Sequence, residues 1–242
     1  MSAKPFKFKE FTIDQDQCAM KIGTDGVLLG AWASIEKRPF SILDIGAGTG
    51  VLSLMLAQRS AAELIDAIEI DDSTYEQCVD NFEQSYWGDR LFCYHASLLD
   101  FVEELESEDD KYDLIICNPP FYSEDYKTDN TQRDLARFQD AMPFEHLIES
   151  ASKLLSKDLG NFSVVIPFKE ETNFIEIASK FNLYPNRVLH VKGNPTSEIK
   201  RSLIEFSFRE SEIITEELVI EIERHQYTQD YINLTEAFYL NM

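Results

Sequence analysis

Residues Asn118-Pro119-Pro120-Phe121 follow a short apolar run, Tyr112 to Cys117, that reads as a buried strand. A strand ending this way puts a polar amide, a stiffened backbone and a flat ring in one place. Proline restricts the residue before it to extended conformations, so Pro119 stiffens Asn118 and Pro120 stiffens Pro119. The Asn118 side-chain oxygen and the Pro119 carbonyl can accept both N–H protons of a planar –NH2 group. Such an amine is a poor nucleophile, because its lone pair is delocalised into a ring or carbonyl. Holding both protons localises the lone pair toward an electrophile, by electrostatic positioning with no covalent step. Phe121 offers a ring face on which a planar substrate can stack.

A second group of residues suggests the electrophile's carrier. Gly46-x-Gly48-x-Gly50 lies between an apolar strand, Ser41–Ile45, and a helical pattern, Val51–Arg59. Glycines there permit a tight turn and close backbone approach to a ligand. The helix start that follows favours an anionic group. Nineteen residues after Gly50, Glu69 ends a second apolar strand. An acidic side chain at that place suits the two hydroxyls of an adenosine ribose. The dinucleotide fingerprint is not met: the third glycine comes one residue early, and Val51 stands where a Gly or Ala is needed.

These residues must be positioned by alternating strands and helices. Strands are expected at 41–45, 64–70, 91–95, 112–117, 162–166, 187–191 and 203–208, with Leu218–Ile222 as one more candidate. Helices are expected at 51–59, 73–84, 144–156, 171–181 and 230–239. Alternation of this kind predicts an α/β fold: a seven-stranded, mostly parallel twisted sheet with helices on both faces. In such a sheet the glycine loop and Asn118 both fall at carboxyl ends of strands, where these folds bind ligands. One domain is expected over 1–242, with a cap at 1–40, a core at 41–210 and an extension at 211–242. Residues 122–140 form the longest poorly patterned stretch, the kind of polar loop that often carries function.

Composition sets further bounds. The chain has 242 residues, of which 44% are hydrophobic, ample for a sizeable core. No stretch reaches the roughly 18 apolar residues of a membrane span, and the first residues lack the apolar run of a signal peptide. The four cysteines show no C-x-x-C spacing and read as free thiols of a reducing cytoplasm. No metal constellation is expected. The net charge of −22 argues against nonspecific nucleic-acid binding. Much of it sits in clusters at 103–110 and 210–223, which read as solvated acidic surface.

The pattern from Asp44 to Gly50 resembles motif I of the class I S-adenosylmethionine-dependent methyltransferases, whose fold is Rossmann-like. That resemblance implies that Gly46, Gly48 and Gly50 wrap the methionine part of S-adenosylmethionine. Asp44 would orient the loop or meet the amino group. Ile68-Glu69-Ile70-Asp71 resembles the family's second motif, which makes Glu69 and Ile70 cofactor contacts. Ser97 stands where the family usually carries an acid near the adenine amine; it or Asp100 would take that place. Asn118 to Phe121 resembles the signature of methyltransferases acting on planar amines, and implies catalytic roles for Asn118, Pro119, Pro120 and Phe121.

The segment from Phe11 to Trp32 and the terminal pattern Tyr227 to Leu240 are similar to those of the bacterial tRNA1(Val) adenine-N6 methyltransferases. That family modifies the adenosine just 3′ of the anticodon. It implies that Lys21, Thr24, Asp25 and Gly26 pack over the cofactor, and that tRNA is the partner of a monomeric, cytoplasmic enzyme. An rRNA or DNA base, or a protein glutamine, is the alternative amine. To carry RNA, the acidic chain is expected to gather Lys4, Lys7, Lys9, Arg133, Arg137, Lys192, Lys200 and Arg201 on a rim around Phe121.

Overall fold

The computed structural model describes residues 4–105, 111–120 and 143–242. Phe121, Arg133 and Arg137 lie outside the described residues, as does the whole of the poorly patterned stretch 122–140.

An N-terminal hairpin, β1 (Phe6–Lys7) and β2 (Thr12–Ile13), leads through an irregular strap into α1 (Thr24–Trp32). Then strands and helices alternate: β3 (Ser41–Ile45), α2 (Val51–Arg59), β4 (Leu64–Glu69), α3 (Asp72–Glu83), β5 (Leu91–His95), α4 (Leu98–Leu105), β6 (Leu114–Cys117), α5 (Phe144–Leu154), β7 (Asn161–Pro167), α6 (Glu171–Lys180), β8 (Tyr184–Lys192) and β9 (Ile199–Ser207). After them come β10 (Ile214–Val219), a small hairpin of β11 (Glu221–Glu223) and β12 (Gln226–Tyr227), and α7 (Gln229–Thr235).

The main sheet has the order β10-β8-β9-β7-β6-β3-β4-β5. Only β9 runs against its neighbours; β10–β8, β7–β6, β6–β3, β3–β4 and β4–β5 are parallel. The expected mostly parallel sheet is present, with eight strands among the described residues rather than seven. The additional one is β10, shifted toward the N-terminus from the alternating Leu218–Ile222 pattern. It lies inside the acidic run read as plain surface. An edge strand tolerates that composition, because charges on an edge discourage further pairing, and Leu218 is the one β10 residue that is buried.

Two apolar layers sandwich the sheet. Residues of α1, α2, α3 and α7 pack on one face and residues of α4, α5 and α6 on the other. Every residue of β3 is buried, as expected for a central strand covered on both sides. The chain leaves β3 toward β4 and β5 on one side, and returns after α4 to place β6 on its other side. The sheet therefore has its switch point between β3 and β6, where open α/β sheets form a crevice at the strand ends. Among the described residues no helix is long and apolar enough to cross a membrane. All four cysteines are free; Cys18, Cys78 and Cys117 are buried, and burial pushes the Cys18 thiol up to about 11.

Candidate active site

The glycine loop leaves β3 at the switch point. Gly46, Gly48 and Gly50 all have positive φ, at 72°, 55° and 78°, where a side chain is strained. Their surroundings differ. Nothing lies within 4 Å of where a Cβ would stand on Gly46 or Gly48, so the loop faces open space there. A Cβ on Gly50 would meet the Phe82 ring at 2.5 Å and Cys78 Sγ at 3.0 Å, so Gly50 serves the packing of α3 against the loop rather than facing a ligand.

Most N–H groups of the loop are already engaged. Those of Gly46 and Ala47 donate to the Ile68 carbonyl at 3.0 Å, that of Gly50 to Ala47, and that of Gly48 to Glu69 Oε2 at 2.9 Å. The start of α2 has its own internal anion. Asp44, fully buried, accepts from the Ser53 N–H at 3.2 Å and the Ser53 hydroxyl at 2.7 Å through Oδ2. One N–H of this helix start is thus already taken by a side chain of the protein. Two carboxylates beside the loop, and few free donors, make a poor phosphate cradle and a good seat for a ligand with cationic groups and hydroxyls.

Asp44 Oδ1 has no partner among the described residues. Burial pushes the Asp44 carboxyl up to about 7, against the lowering effect of the Ser53 hydrogen bonds and with further repulsion from Glu69. Glu69 is half-buried and rigidly held: Oε1 accepts from the N–H groups of Ile70 and Asp71, both at 2.9 Å. Ile70 beside it is 67% exposed. Asp71 caps α3 by accepting from the Thr74 N–H at 2.9 Å. These features fit an adenosyl group with a charged amino-acid tail. Glu69 would take the ribose hydroxyls, and the orphaned Asp44 oxygen would take an ammonium.

Ser97 and Asp100 are occupied with each other. The Ser97 hydroxyl donates to Asp100 Oδ2 at 2.6 Å and accepts from the Asp100 N–H at 3.2 Å, a reciprocal cap at the start of α4. His95 Nε2 lies 3.0 Å from the Ile70 carbonyl and braces the same corner.

Asn118 leaves β6 beside the loop. It is half-buried, Pro119 is buried and Pro120 exposed. Among the described residues the Asn118 amide has no hydrogen-bond partner, which leaves it available to a ligand. The first turn of α1 covers it: a Cβ on Gly26 would stand 3.8 Å from Asn118 Nδ2 and 3.5 Å from Val51 Cγ1. Gly26 thus neighbours both the amide and the helix that follows the glycine loop.

A methyltransferase small-domain family model matches residues 27–184. The chain belongs to that family. The enzyme is 61% identical over 242 residues to a tRNA1(Val) (adenine(37)-N6)-methyltransferase of Christiangramia forsetii, covering 100% of both chains. It is 63% identical over 238 residues to one of the same name from Flavobacterium johnsoniae, covering 98% of this chain and 100% of the relative. Among solved structures, a predicted O-methyltransferase of Agrobacterium tumefaciens superposes with a TM-score of 0.66 at 19% identity, covering 88% of this chain and 96% of that one. This last likeness concerns the fold.

Other nominated residues of the enzyme have other partners. Lys21 Nζ donates to the carbonyls of Gln15 and Cys18, the latter at 2.7 Å, and so braces the strap from within. Thr24 is exposed at the start of α1. Asp25 is paired with Arg201, and Lys192 with Glu217 at 2.8 Å. Lys9 donates to the carbonyls of Glu236 and Met242. Lys4, Lys7 and Lys200 are exposed. Two residues that the sequence did not mark hold the strap in place. Asn81 Oδ1 accepts from the Asp14 N–H, and its Nδ2 donates to the carbonyls of Asp14 and of Thr49 in the glycine loop. Gln77 accepts from the Gln17 N–H and the Cys18 thiol, and donates to Asp16. Their only sequence signal is polar residues four apart on a helix flank.

Proposed function

We propose that this enzyme, acting as a monomer in the cytoplasm, transfers a methyl group from S-adenosylmethionine to N6 of an adenine in tRNA, at position 37 of tRNA1(Val). The observation that carries the reading is the Asn118 amide at the end of β6, without a hydrogen-bond partner among the described residues, beside the open glycine loop at the end of β3. The relatives named for that activity match end to end.

When bound, S-adenosylmethionine supplies an electrophilic methyl on a sulfonium. Asp44 would meet its amino group through the oxygen that has no partner among the described residues, and Glu69 would accept from the ribose hydroxyls. Gly46 and Gly48 leave the room that a side chain would fill. Asn118 Oδ1 and the Pro119 carbonyl each accept an N–H of the adenine amine, which aims the nitrogen lone pair along the line of transfer. Pro119 and Pro120 stiffen the backbone that presents these acceptors, and the stacking role that the amine-methylation signature implies falls to Phe121, outside the described residues. A loop adenine needs little displacement to reach them.

Incubation with methyl-labelled S-adenosylmethionine and total tRNA, followed by nucleoside analysis, tests the reading. N6-methyladenosine is the expected product, lost when adenine 37 of tRNA1(Val) is replaced. Label on protein glutamine, or on rRNA alone, overturns it.

A further inference from the structure

Asp25 and Arg201 are 176 positions apart, yet Arg201 Nε donates to Asp25 Oδ2 at 2.7 Å. Their side chains are 29% and 35% exposed, so the pair closes at the surface of the crevice rather than in the core. Its two ends belong to different parts of the site. Asp25 is in the first turn of α1, and the next residue, Gly26, lies against Asn118. Arg201 is the register partner of Pro167, the last residue of β7, on the β7–β9 side of the sheet beyond β6. Alternation along β9 puts Arg201 on the same face as Leu203, which packs in the apolar layer with Val27 and Leu28 of α1.

The strap that enters α1 is fixed on the other side of the crevice by Asn81 and Gln77 of α3. Arg201 adds a polar tie between α1's first turn and the β7–β9 side, beside the apolar packing of Val27 and Leu28 with Leu203. The guanidinium is also held by its own strand, since Nη1 donates to the Lys200 carbonyl at 3.0 Å. With one edge on Asp25 and another on that carbonyl, it is oriented toward α1 rather than displayed to an incoming phosphate.

We propose that Arg201 is a positioning residue: through Asp25 it holds the first turn of α1 against Asn118 and so fixes the amide that receives the substrate amine. This rests on the amine-methylation reading above.

The experiment compares wild type, Arg201→Ala, Asp25→Ala, the double alanine variant and the charge exchange Asp25→Arg with Arg201→Asp. Methylation of tRNA, hydrogen exchange of residues 24–28 and melting temperature are measured for each. Either alanine change lowers kcat by about tenfold while the tRNA KM moves less than about twofold, as expected for lost alignment. The double alanine variant is no worse than either single one, because both remove the same contact. The charge exchange recovers much of kcat. Exchange at 24–28 accelerates in both single variants.

The proposal is overturned if Asp25→Ala leaves kcat intact while Arg201→Ala raises the tRNA KM and reduces its salt slope by about one, the mark of a phosphate contact. It is also overturned if the charge exchange restores melting temperature without kcat. A wild-type enzyme that leaves tRNA unmethylated counts against the function reading alone. The exchange data then still decide whether the pair holds α1, and unchanged protection at 24–28 rejects it.

Discussion

Asp44 and Ser53 close the start of α2 from outside the helix, with one carboxylate oxygen accepting both the backbone N–H and the hydroxyl of Ser53. The other oxygen is buried without a partner among the described residues. Because burial raises this carboxyl to about 7, it is largely neutral in mildly acidic solution when the site is free. A cationic ligand prefers the ionised form. Affinity for S-adenosylmethionine should therefore rise with pH, by about tenfold between pH 6 and 8, from the fraction ionised. Stability of the free enzyme runs the other way. The unfolded chain loses this proton in the ordinary carboxylate range while the folded chain keeps it to about 7, so stability falls across that window. Calorimetry and denaturant unfolding at several pH values check both slopes. Asp44→Asn should flatten them, and slopes that survive in that variant assign the titration elsewhere.

Asn118→Ala should lower turnover by at least about a hundredfold, the scale of losing one aimed polar group in a transfer site. Cofactor affinity should stay within about twofold. Single-turnover methylation and equilibrium titration separate the two. A parallel collapse of cofactor binding makes Asn118 a structural residue.

The three glycines should respond differently to alanine. At position 50 the methyl collides with Phe82 and Cys78, and the main effect is lost stability, on the order of 1–3 kcal/mol. At position 48 the methyl enters open space, so backbone strain of about 1 kcal/mol is accompanied by weakened cofactor binding. Unfolding curves and titrations on the two variants give the comparison; a Gly48→Ala variant that binds normally contradicts the open face assigned to the loop.

Asn81→Ala should loosen the strap. It strips partners from the Asp14 N–H and the Thr49 carbonyl, at about 1–3 kcal/mol for buried groups left unpaired. Faster hydrogen exchange at 14–22 together with weaker cofactor binding is the expected signature. Unchanged protection there shows that other contacts suffice.

Much of the site was legible because its chemistry demands given residue types at strand ends. The bounds of β3, α2 and β5 emerge from pattern alone, and with them the places of Gly46, Gly48, Glu69 and Asn118. Helix α1 was not legible, since Gly26 to Trp32 are all buried and an all-apolar helix shows no period. Helix α4 had a visible start signal in Ser97-x-x-Asp100, masked by the acidic run behind it. Strand β10 was hidden in acidic residues because an edge needs little burial. The pairing of Asp25 with Arg201, and the grip of Asn81 on Thr49, depend on contacts that only the folded sheet creates. Residues assigned separately to cofactor and RNA turned out to hold one another.

The hairpin that begins the strap carries a consequence for timing. The Lys9 N–H donates to the Phe238 carbonyl at 2.9 Å, Phe8 bridges to Tyr239, and the Lys9 ammonium reaches a carbonyl 227 positions away. Contacts of such sequence separation form late. On the ribosome the central strands can pair before residues 236–242 are made, while the N-terminal hairpin still lacks these partners. The hairpin gains these partners when the segment from Glu236 to Met242 joins it, after the strap's own contacts with α3 can form.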